Sequence, residues 1–192
     1  MSETPTATGA SAGASGASTA APPPIDLRPL FAPRSIAVVG ASARGGIART
    51  IRANLRVLDS ATRCHFVNPR YDELDGQPCY PSIAALAEVP DIVVVAVNPL
   101  RAAAVVTDAA AAGVPAVIVP GGGVVEGGEA AARMQRDVRE LAIRHGIALL
   151  GPNCMGLVDL TTNSATYIGD INPWLPRGGV AGIAQSGSVT DA

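Results

Sequence analysis

The chain has 192 residues, of which 48% are apolar, 3% aromatic and 16% charged, with a formal net charge of −2. That is apolar enough for a buried core. A pI of about 5.6 and the absence of any basic run exclude a nucleic-acid reader, which carries clustered cations. No apolar stretch reaches the ~18 residues of a membrane span. The three cysteines, Cys64, Cys79 and Cys154, are odd in number, widely spaced and free of any CxxC pair, which argues against a disulfide scaffold or a zinc site. They fit a cytoplasmic protein, and no metal ligand set is expected.

Residues 1–24 are nearly all Ala, Ser, Thr, Gly and Pro, with no Lys or Arg. Such a segment is neither a signal nor a transit peptide and buries too little surface to offset the entropy of ordering. It reads as a disordered tail. From Ile25 onward short β-branched runs alternate with longer Ala-rich segments. The runs at 35–39, 64–67, 91–97, 116–119 and 147–150 are almost wholly apolar, as strands covered on both faces are. Helices are expected between them, at 46–58, 81–87, 99–112 and 128–145. The first carries Ile47, Ile51, Leu55 and Leu58 on one stripe. Gly113 and Gly146 mark the ends of the last two. This is the pattern of an α/β, Rossmann-like doubly wound parallel sheet over 25–157. Residues 158–178 are turn-rich and read as a linker. Residues 180–184, VAGIA, then read as a sixth strand, followed by a phosphate-loop type of turn at Gln185–Ser188; with no helix after it, 179–192 looks like the truncated start of a second domain.

The candidate binding residues lie where strands give way to loops. Gly40, Ala41, Ser42, Arg44, Gly45 and Gly46 follow the first strand and open the first helix. Glycines there permit a tight turn and a close approach of peptide N–H groups to a phosphate, and the helix start favours an anion. The plainer alternative is an ordinary βα turn. After the second strand a dinucleotide site usually places an acid on the ribose hydroxyls. Here the residues are Asn68, Pro69 and Arg70, and a cation suits a ribose phosphate instead, the 2′-phosphate of NADP or the 3′-phosphate of coenzyme A. Asn98, Pro99 and Leu100 could form an apolar ledge for an adenine. Gly121, Gly122 and Gly123, with Glu126, allow close backbone approach after the fourth strand. After the fifth, Gly151-Pro152 fixes a turn and Asn153 offers both donor and acceptor. Cys154 is a poor candidate nucleophile, since neither His65 nor His145 can be placed beside it. No catalytic residue is assigned.

The ordered set Pro33–Ser42, Val67-Asn68-Pro69, Gly151–Gly156 and Gln185-Ser186-Gly187 resembles the nucleoside-diphosphate-forming acyl-CoA synthetases, relatives of the succinyl-CoA synthetase α subunit. The resemblance runs from Leu27 to Ala192. It implies that the Gly40 loop holds coenzyme A phosphates, that residues 68–70 meet the ribose phosphate, and that Pro99 and Leu100 flank the adenine. Gly121–Gly123 and Asn153 would lie near the pantetheine arm. It further implies that Ser186 and Gly187 belong to a phosphate loop of a flavodoxin-like second domain. In such enzymes a phosphohistidine and an ATP-grasp domain or subunit do the phosphoryl chemistry with ATP and Mg, within oligomers. Both are expected outside residues 1–192, which would leave a CoA-binding module not catalytic alone. Two rivals remain: the sensor part of a protein acyltransferase, and an NADP-dependent oxidoreductase domain. The second lacks a Tyr-Lys pair, because the chain has no lysine.

Overall fold

The computed structural model describes residues 24–44, 46–121 and 128–184. A short helix α1 (Arg28–Phe31) leads into β1 (Ser35–Val39), then α2 (Gly46–Val57) and β2 (Arg63–Val67). A hairpin follows, β3 (Glu73–Leu74) and β4 (Gln77–Tyr80), then β5 (Ile92–Val95), α3 (Ala102–Ala111), β6 (Ala116–Pro120), α4 (Glu129–His145) and β7 (Ala148–Cys154). The sheet order is β3-β4-β2-β1-β5-β6-β7. All neighbours from β4 to β7 run parallel, and only β3 is antiparallel. Counting parallel strands alone, this is the order 3-2-1-4-5-6 of a doubly wound dinucleotide fold.

The near-continuous apolar strands follow from cover on both faces. Ile36, Val38, Ile92 and Val94 point to the face packed by Ile51 and Leu55 of α2. Ala37, Val93, Val95 and Val117 point to the other, packed by Val105 and Val106 of α3 and by Met134 and Val138 of α4. With so few aromatics, small aliphatics let helix and sheet approach closely.

Several expectations need correction. The helix expected at 81–87 is only a 3-10 turn, Ile83–Ala85, which Leu86 leaves in extended conformation. A single short turn lacks the length to propagate, and Pro90 disfavours helix at Val89. The segment 99–112 starts as a 3-10 turn, Pro99–Arg101, before α3 begins. The third strand ends at Val95, not Val97, and β7 runs on through the Gly-Pro-Asn-Cys motif to Cys154. The β3–β4 hairpin was not foreseen. Its signal was present in Asp75-Gly76, both at positive φ (51° and 71°), the pair that a tight two-residue hairpin favours.

The sixth strand expected at 180–184 does not form: Val180 and Ile183 are fully exposed and unpaired in any ladder. A strand needs a neighbour for its peptide groups, and among the described residues none of the ladders includes 180–184. The first part of 158–178 carries a small antiparallel pair, β8 (Val158–Asp159) and β9 (Ser164–Ala165). It is fastened to α2 by buried Asn54, whose Nδ2 donates to the carbonyls of Tyr167 (3.0 Å) and Gly169 (2.8 Å) and whose Oδ1 accepts from Ile171 N (3.0 Å).

Candidate functional site

In this strand order the connections diverge between β1 and β5, and sheets of this kind hold their ligands at the carboxyl ends of the strands beside that point. Gly40 lies at that point. Its N–H donates to Val67 O at 2.8 Å, and its φ is +96°. A Cβ there would come within 2.7 Å of the Ala96 carbonyl oxygen. Glycine is therefore required twice, for its backbone angle and for the contact between the loops after β1 and β5.

Two carbonyls of the first loop are taken up by side chains. Ala41 O accepts from Asn68 Nδ2 at 2.7 Å, and Ala43 O accepts from Arg49 Nη2 at 3.1 Å. The amides of Ala43 and Arg44 have no protein acceptor among the described residues. The loop thus offers N–H groups, not lone pairs, just before α2 begins at Gly46. Oriented amides at a helix start suit an anion. Arg49 was missed by sequence reasoning. Its ion pair with Asp75 (2.8 Å) depends on the unforeseen hairpin, and hydrogen bonding from Arg49 holds the Asp75 carboxyl below its ordinary range.

At the end of β2, Asn68 N donates to Tyr80 O at 2.8 Å and Asn68 Oδ1 accepts from Arg70 N at 3.0 Å. Pro69 and Arg70 are exposed. After β5, Asn98 Oδ1 caps Leu100 N at 3.0 Å, Pro99 is half-buried, and Leu100 is 69% exposed. Leu100 is one of several large apolar side chains left exposed. Arg101, in the same turn, was also missed; only its exposure singles it out. Among the described residues no hydrogen bond or ion pair engages the guanidinium of Arg44, Arg70 or Arg101.

Gly121 and Asn153 sit together farther along the rim: Gly121 N donates to Cys154 O at 2.8 Å, and a Cβ on Gly121 would fall 2.7 Å from Asn153 Oδ1. Asn153 itself is exposed at φ +65°. Cys154 is half-buried, with Sγ 3.6 Å from Val119 O, and burial pushes its thiol up. Cys64 is pushed up to about 12 for the same reason. Such thiols stay protonated near neutrality and are weak nucleophiles. Gly45, Gly122, Gly123, Glu126, Ser186 and Gly187 lie outside the described residues. Among the described residues no His, Cys, Asp and Glu cluster could hold a metal ion, and no helix is long and apolar enough to cross a membrane.

The rim thus joins an amide-lined loop, a free arginine after β2 and an apolar ledge after β5. A family model described as a CoA binding domain matches residues 34–159. The chain belongs to that family. The CoA-binding domain is 32% identical over 160 residues to an ADP-forming acetate–CoA ligase of Archaeoglobus fulgidus, covering 83% of this chain and 23% of the relative. It is 30% identical over 168 residues to the ADP-forming acetate–CoA ligase of Methanocaldococcus jannaschii, covering 87% and 23%. A solved acetyl-coenzyme A synthetase from Ca. Korarchaeum cryptofilum, in complex with phosphate and ADP, superposes with a TM-score of 0.72 at 30% identity, over 85% of this chain and 35% of that one. The CoA-binding domain therefore spans about a quarter of the length of these curated relatives.

Proposed function

We propose that this CoA-binding domain serves an ADP-forming acyl-CoA synthetase, in which acid, CoA and ATP become acyl-CoA, ADP and phosphate. The observation that carries the choice of nucleotide is the unpaired, exposed Arg70 at the end of β2. A dinucleotide enzyme reading ribose hydroxyls wants an acid there. In this reading Arg70 meets the 3′-phosphate, the loop after Gly40 holds the diphosphate through the amides of Ala43 and Arg44, and Pro99 with Leu100 supports the adenine. Gly121 and Asn153 line the way to the pantetheine arm. The relatives named as ADP-forming ligases support the reaction class.

The domain's own contribution is positioning. Holding CoA by its nucleotide end aims the thiol at a neighbouring site and converts an encounter into an oriented reaction. ATP, Mg and the phosphohistidine act in parts outside residues 1–192, an ATP-grasp unit among them, within an oligomer. The cysteines are free thiols, in keeping with a reducing cytoplasm.

Arg70 alone would also suit the 2′-phosphate of NADP. Titration calorimetry with CoA and with NADPH separates the two. CoA should release heat and saturate one site, while NADPH should give no isotherm at the same concentrations. Saturable NADPH binding without CoA binding would overturn the reading.

A further inference from the structure

We propose that Asn68 is a positioning residue that braces two phosphate subsites at once, so that recognition of the 3′-phosphate by Arg70 depends on it; this rests on the CoA reading above. Its carboxamide reaches in two directions. Nδ2 donates to Ala41 O (2.7 Å) in the loop after β1, and Oδ1 accepts from Arg70 N (3.0 Å) in the loop after β2. Its main chain is anchored as well: N donates to Tyr80 O at 2.8 Å, and O accepts from Tyr71 N at 3.3 Å. One residue, its main chain pinned to β4, therefore ties together through its side chain the two loops that would hold the negative charges of the ligand.

The two ends do different work. Ala41 is 2% exposed, so its carbonyl needs a donor inside the protein. With Asn68 in place that lone pair points inward, and the loop presents amides to the diphosphate. The Oδ1 end closes an Asx turn over residues 68–70. That turn fixes the direction in which Arg70 leaves the main chain. An exposed arginine otherwise loses much rotamer freedom on binding. Preordering its backbone lets more of the guanidinium–phosphate interaction appear as affinity.

The test is calorimetry with CoA and dephospho-CoA on the wild type, Asn68→Ala, Arg70→Ala, the double variant and Asn68→Ser. The wild type should prefer CoA by roughly tenfold or more, the size of a charge-assisted contact. Asn68→Ala should lose most of that preference although Arg70 is still present. The double variant should discriminate no less than Asn68→Ala alone, because contacts acting as one unit are not additive. Serine forms the same turn more weakly but is too short for Ala41 O. Asn68→Ser should therefore keep part of the preference while binding both ligands more weakly, and it carries the test should Asn68→Ala not fold. Asn68→Ala with an intact preference, additive losses in the double variant, or Asn68→Ser indistinguishable from wild type would overturn the proposal and leave the CoA reading standing. A wild type that binds neither ligand would overturn both.

Discussion

At the amino edge of the sheet two arginines have acids. Arg34 pairs with Asp91 at 3.2 Å, and Arg63 pairs with Glu88 at 2.5 Å. Burial opposes ionisation of Asp91, but hydrogen bonds from the Arg34 side chain and backbone outweigh it and hold the carboxyl below its ordinary value. At the carboxyl edge Arg44, Arg70 and Arg101 have no partner among the described residues, the loops carry a glycine at φ +96°, and Leu100 stands bare. Both edges belong to the same strands and the same core. Under the proposed function the two amino-edge pairs close the fold, and the three free guanidinium groups are left for an anionic ligand.

The harshest way to break this contrast is at Gly40. Gly40→Ala forces a side chain into a left-handed backbone and against the Ala96 carbonyl. It should cost at least about 2 kcal/mol of unfolding free energy, seen as a lowered urea midpoint, and abolish CoA binding. An unchanged midpoint would mean that the two loops do not need their close contact. Next comes Arg70→Ala, which should weaken CoA roughly tenfold or more while leaving dephospho-CoA unchanged. Arg34→Ala at the other edge should leave CoA affinity as it is. Equal effects of the two substitutions would erase the distinction between the edges. Leu100→Ala should then cost about 1 kcal/mol of CoA affinity with no change in melting temperature, because its apolar surface is buried only by the ligand.

The smallest effect sharpens the amino edge. His65 Nε2 is buried, has no hydrogen-bond partner among the described residues and lies 3.9 Å from Glu88 Oε1. Burial pushes its pKa below the ordinary 6.5, and the Glu88 charge only partly offsets that. The unfolded chain then takes up the proton more readily than the folded one. Stability from this group is complete above pH 6.5 and declines as pH falls through that value toward the folded pKa. Urea midpoints at pH 7.5 and 5.5 should differ less for His65→Gln than for the wild type. An unaltered difference would remove His65 from the pH response.

The sheet was legible because its strands are short apolar blocks separated by segments with a helical stripe, and burial on both faces leaves that imprint directly. The first loop and residues 68–70 were legible because glycine, proline and a lone arginine stand at strand ends. Other features were not, since they depend on distant partners. Arg49 becomes a brace only once Asp75 is brought beside it by the β3–β4 hairpin, and Asn54 becomes a clasp only once residues 167–171 fold back onto α2. The run at 180–184 misled for the opposite reason: a strand-like composition does not make a strand without a neighbour to pair with.

Amide chemical-shift mapping during a CoA titration tests the division between the edges most directly. Shifts should concentrate at Ala43, Arg44, Gly46, Arg70 and Leu100, with Arg34, Arg63 and Glu88 unmoved. Shifts centred on the amino edge, or none at saturating CoA, would contradict the assignment.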